Sequence, residues 1–85
     1  MKTLQEVRNE IDRVDNELVS LLEERVALSL KVKEIKVQDQ TAVLDSSREQ
    51  DIIERLQSGL NEEHHAYIKA IYGLIFDYSR LLQNK

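Results

Sequence analysis

Residues 3–38 read TLQEVRNEIDRVDNELVSLLEERVALSLKVKEIKVQ, without a glycine or a proline. Apolar side chains fall at 4, 7, 11, 14, 18, 21, 28, 32 and 35, the three-four spacing that lines one seam of a continuous helix. Only position 25 breaks the seam. Thr3 followed by Glu6 has the form of a capping box, so the helix is expected to start there and run to about Gln38. At a rise of about 1.5 Å per residue it spans roughly 50 Å, whereas a compact chain of this length has a radius of gyration of about 12 Å. Such a rod overshoots its own globule. Its far end can cover its seam only against another polypeptide, which predicts an intertwined homodimer of long helices.

The rest of the chain reads as one domain over residues 1–85. The stretch Asp39–Asp45 loses the helical period and is expected to be a loop. Ser46 with Glu49 fits a second capping pattern, giving a helix to about Ser58 that stops at Gly59. Asn61 can cap a third helix carrying Ile68, Ile71, Ile75, Tyr78 and Leu82. The expected class is therefore all-α, a three-helix protomer with one very long N-terminal helix. Composition agrees, with hydrophobic residues at 41%, charged residues at 33%, 2 glycines and no proline. The absence of cysteine removes disulfides, thiol nucleophiles and thiolate metal sites. A net charge of −4 without a basic cluster argues against nucleic acid. No apolar run reaches the ~18 residues of a membrane span, so a cytoplasmic protein is expected.

Function in a helical bundle is written where polar residues replace expected apolar ones, because a buried polar group needs a partner. Arg25 sits on the seam between Leu21 and Leu28 and calls for an anion, though it could also snorkel or pair with Glu23 or Glu24 of a partner helix. Lys36 lies eleven residues on, at nearly the same angular position, where a solvated lysine is the plainer reading. Glu49 opens the apolar stripe of the second helix with Ile53, Leu56 and Leu60, and can serve as a cap, a ligand contact or both. Tyr72, Phe76, Ser79 and Gln83 form one line on the third helix, an aromatic surface passing into a hydroxyl and a carboxamide. Arg8, on the flank of the seam, is by default a surface charge or a partner of Asp12 or Asp15. It stands about 25 Å along the helix from Arg25, so the two can grip one small molecule only from different chains. The adjacent His64 and His65 point about 100° apart on a helix and chelate one ion poorly, so no metal is expected.

Taken in order, Arg8, Asp15, Arg25, Lys36, Asp45-x-x-Arg48-Glu49 and Ser79-x-x-x-Gln83 resemble the all-helical AroQ class of chorismate mutases over nearly the whole chain. The resemblance implies an interlaced dimer with two active sites that rearranges chorismate to prephenate, in the branch toward phenylalanine and tyrosine, without cofactor or metal. It implies that Lys36 and Gln83 meet the ether oxygen. Arg25 and the Arg8 of the other chain clamp carboxylates, assisted by Lys36 and Ser79. Glu49 and the backbone near Asp45 hold the ring hydroxyl, and Arg48 orients the substrate. Ala42 departs from the class, which often has a proline just before the Val-x-Asp of this loop. Two rivals remain at the level of sequence. An isochorismate pyruvate lyase shares the fold and substrate class but eliminates pyruvate. A non-catalytic helical dimerisation or regulatory module would use the seam to bind another protein, such as a related enzyme of aromatic biosynthesis.

Overall fold

The computed structural model describes residues 1–39 and 46–83. Three α-helices follow in order: α1 over Leu4–Asp39, α2 over Ser46–Ser58 and α3 over His65–Gln83. The capping box at the head of α1 is formed. The Glu6 amide donates to Thr3 Oγ1 at 3.1 Å, and the Thr3 amide donates to Glu6 Oε2 at 3.3 Å. Two of the amides that a helix start leaves without intrahelical partners are thereby satisfied.

The α2–α3 connection differs from its sequence reading in detail. α2 ends at Ser58 as expected, but Gly59 is not in the left-handed conformation of a glycine cap. The end is tied off by the Leu60 amide donating to the Gln57 carbonyl at 3.0 Å and the Ser58 hydroxyl donating to the Arg55 carbonyl at 2.8 Å. Asn61 makes no side-chain cap. Its backbone carbonyl accepts from the His64 amide at 3.0 Å, which tightens Glu62–His64 into a single 3₁₀ turn before α3 begins.

Both α1 and α2 pack on α3, which is the centre of the protomer. The interior is small. Among the described residues the buried apolar side chains are Ile52, Ile53 and Phe76, with Leu56 and Tyr72 packed against them. Along α1 the seam residues Leu4, Ile11, Val14, Leu18, Leu21 and Leu28 are all about half exposed or more. The molecule measures 57 × 26 × 16 Å with a radius of gyration of 16.4 Å, so the rod does extend beyond the rest of the chain. Its accessible surface is 6999 Å², against about 5,200 Å² for a folded monomer of this mass. Apolar surface of that extent, in a chain with so little interior, asks for a cover.

Candidate active site

A cavity of about 320 Å³ opens where the C-terminal half of α1, the start of α2 and the end of α3 meet. Arg25 and Ser29 reach it from α1, Arg48 and Glu49 from α2, and Ser79, Arg80 and Gln83 from α3, over a floor that includes Ile52 and Phe76. The placement follows from helical geometry. On α3 the three-four spacing of Phe76, Ser79 and Gln83 puts all three on the face turned toward α1.

Arg25 is fixed from two directions. Its Nη1 donates to Ser79 Oγ at 3.0 Å, and its guanidinium carbon lies 5.6 Å from the centroid of Phe76 and 5.9 Å from that of Tyr72. The two rings are themselves edge to face at 5.7 Å. A cation over aromatic faces is held without losing its outward donors. One of its five N–H groups goes to Ser79, so the group is oriented while retaining hydrogen-bonding capacity. The seam anomaly therefore has an intramolecular explanation, and pairing with Glu23 or Glu24 is not needed to account for it.

Ser29 shares the network. It is 7% exposed, and its Oγ lies 3.3 Å from Ser79 Oγ, where either hydroxyl can donate. Its backbone carbonyl accepts from Gln83 Nε2 at 3.2 Å. That bond decides which end of the carboxamide is the nitrogen, and the second N–H on that nitrogen stays available to a ligand. Ser29 was hidden in the sequence behind Leu28, which carries the seam. The signal was the polar line Arg25, Ser29, Lys33, Lys36 along one side of α1.

Glu49 accepts from Arg80, whose Nη1 lies 2.6 Å from both carboxylate oxygens. The other terminal nitrogen of Arg80 donates to Asp77 Oδ1, one turn earlier on α3. These two carboxylates, Glu49 first, raise the guanidinium above its already high ordinary value, so it is charged at any pH of interest. Arg80 was not among the residues singled out from the sequence. Near the end of a helix it has the ordinary look of a cation complementing the dipole, and its partner lies 31 residues away.

Five of the eight residues singled out from the sequence thus line one cavity: Arg25, Arg48, Glu49, Ser79 and Gln83. Arg8 does not join them. It is exposed on α1, on the protruding half of the rod. Lys36 belongs to the last turns of α1 with its side chain outside the described part, and Asp45 and the Ser46 cap side chain lie outside it as well. The histidines diverge, His64 toward Glu63 at 3.6 Å and His65 toward the Leu60 carbonyl at 3.1 Å.

What the cavity can do follows from its groups. Among the described lining residues three arginines against one glutamate leave a formal charge of +2, beside two neutral hydroxyls and a carboxamide. Such a wall suits a small anion with more than one acceptor. The family model described as chorismate mutase type II matches residues 7–84. The chain belongs to that family. Chorismate mutases are isomerases, and the all-α fold agrees with the resemblance carried by the ordered residues. Among relatives, a chorismate mutase of Methanocaldococcus jannaschii is 33% identical over 89 residues, covering 100% of this chain and 88% of its own. A bifunctional chorismate mutase/prephenate dehydratase of Aquifex aeolicus is 35% identical over 82 residues, covering 96% of this chain but 20% of its own. The corresponding bifunctional protein of Escherichia coli K12 is 36% identical over 80 residues, with 91% and 20% covered. The chain therefore spans about a fifth of the length of the bifunctional relatives it matches. No solved structure gives a significant match.

Proposed function

We propose that this chain converts chorismate to prephenate in the cavity between α1, α2 and α3. The observation that carries the reading is the convergence of Arg25, Arg48, Glu49, Ser79 and Gln83 on one cavity, in a chain of the chorismate mutase type II family. Chorismate has two carboxylates, and its rearrangement is an intramolecular pericyclic shift. It needs no protein nucleophile or base, only that the enolpyruvyl arm be folded over the ring and that charge growing on the ether oxygen be met. Arg25 holds a substrate carboxylate and selects the folded conformer, as any near-attack geometry is held. Gln83 and Lys36 donate to the ether oxygen, stabilising the transition state more than the ground state. Glu49 accepts from the ring hydroxyl, while Ser79 steadies Arg25 and Arg48 orients the substrate. A millionfold acceleration corresponds to about 8 kcal/mol, which a few such donors at roughly 2 to 4 kcal/mol each supply. Incubation of purified protein with chorismate should yield prephenate. Formation of pyruvate from isochorismate, with no prephenate from chorismate, would replace the reading with the lyase.

The working unit on this reading is an intertwined homodimer in which Arg8 of the partner subunit completes each site. Support comes from the surface of the single chain, about 1,800 Å² larger than a monomer of its mass should show. Twice that area falls within the range buried by obligate dimers. A second groove, between α1 and α3, is lined mainly by Val19, Leu22, Val26, Leu74, Ile75 and Tyr78, with Glu23, Arg25 and Ser79 among them, and offers a largely apolar seat for a neighbouring rod. If the sites are shared, inactive Arg8→Ala chains mixed with inactive Arg25→Ala chains should recover up to about a quarter of wild-type activity. Half of the dimers are then mixed, and each has one complete site of two. Absence of recovery after demonstrated subunit exchange would count against a trans arginine. No described helix is long and apolar enough to cross a membrane, in keeping with a cytoplasmic enzyme. The names of the bifunctional relatives make an enzyme that consumes prephenate the fitting associate.

A further inference from the structure

We infer that Arg80 is a positioning residue of this site: it anchors the Glu49 carboxylate in the cavity wall and offsets its charge, so that the wall meets a dianionic substrate with a positive face. The inference rests on the proposed chorismate reading and extends it to a residue outside the resemblance. The geometry carries it. Glu49 enters the cavity from α2 and is the one carboxylate among the described lining residues. Uncompensated, it would point a negative charge at a substrate that has two. Arg80 enters from α3, and a single nitrogen lies 2.6 Å from both Glu49 oxygens. Its other end is tied to Asp77, three residues earlier on the same helix. A guanidinium bound at both ends is held rather than offered, so Arg80 acts through Glu49 and not as a substrate clamp of its own. The pair is also sheltered enough to matter, with side chains 24% exposed for Glu49 and 33% for Arg80. Removing Arg80 would lower the formal charge of the lining from +2 to +1 and release Glu49 from α3.

A contact to the ring hydroxyl is made in the ground state and the transition state alike, so its loss should appear in KM more than in kcat. Arg80→Met is expected to raise KM for chorismate about tenfold while kcat changes by less than about threefold. Arg80→Lys should recover part of the loss, because an ammonium offsets the charge but lacks the planar fork. The deciding comparison is made in a Glu49→Gln background, where Arg80→Met should cost less than about twofold in KM because the charge it served is gone. Arg80→Gln serves the same comparison should the methionine variant not fold, as judged by circular dichroism. An unchanged KM in folded Arg80 variants, or an equal penalty with Glu49 already replaced, overturns the inference and leaves the chorismate reading standing. Wild-type protein that neither converts nor binds chorismate removes both.

Discussion

Arg25→Leu should give a folded protein with kcat/KM reduced about a thousandfold, equivalent to about 4 kcal/mol of lost transition-state binding. The two halves of that outcome have separate causes. Leucine completes the apolar seam of α1 between Leu21 and Leu28 and still packs on Phe76 and Tyr72, the rings that the guanidinium covers. The hydroxyls left behind, Ser29 and Ser79, already lie within hydrogen-bonding distance of each other at 3.3 Å. Replacing a sheltered charge by a well-packed apolar group is often neutral or stabilising, so the melting temperature should hold or rise. Activity should not survive, because leucine cannot grip a carboxylate. A helical dimerisation module would tolerate the same change without functional loss. Retention of chorismate mutase activity by folded Arg25→Leu protein would remove Arg25 from the mechanism.

If Gln83 meets the ether oxygen as proposed, Gln83→Glu should turn a donor that does not titrate into one that works only in acid. The carboxamide nitrogen of Gln83 donates to the Ser29 carbonyl at 3.2 Å and keeps a second N–H for the substrate. A glutamate there can donate only when protonated. Once ionised, it faces a carbonyl oxygen on one side and the charge developing on the ether oxygen on the other. An unperturbed glutamate titrates near 4.3; the carbonyl and the ether oxygen disfavour its charged form while the arginines of the cavity favour it, so the variant should gain activity only as pH falls toward the ordinary carboxylate range. At pH 8 a loss of about a hundredfold or more is expected. A rate profile from pH 5 to 8, set beside the wild type, checks this. Equal activity of the variant at pH 8 would mean that position 83 does not meet the ether oxygen.

The features legible in the sequence were those written in local spacing. The capping box at Thr3 and Glu6, the seam broken only at Arg25, and the S-x-x-E pattern placed the ends of α1 and α2 within a residue. The line Tyr72, Phe76, Ser79 and Gln83 marked the face of α3 that meets Arg25 and the cavity, because one helix fixes the direction of all four. Relations between helices were not legible. Arg80 reads as an ordinary helix-end cation until α2 is laid against α3 and Glu49 comes within 2.6 Å. Ser29 reads as a small residue beside a core leucine until its carbonyl meets Gln83, 54 residues later. Asn61 does stand at the N-cap position, but backbone and side chain offer competing ways to begin a helix, and here the backbone turn prevails.

Among the described residues the buried apolar interior amounts to Ile52, Ile53 and Phe76, while most of α1 stays exposed. On the proposed dimer reading, a newly synthesised copy displays a long greasy flank until it meets a mate, and abundance in the cell sets how long that interval lasts. Scarcity harms such a protein doubly. On that reading solitary chains lack the partner's Arg8, and they also linger in the form that chaperones hold and proteases clear.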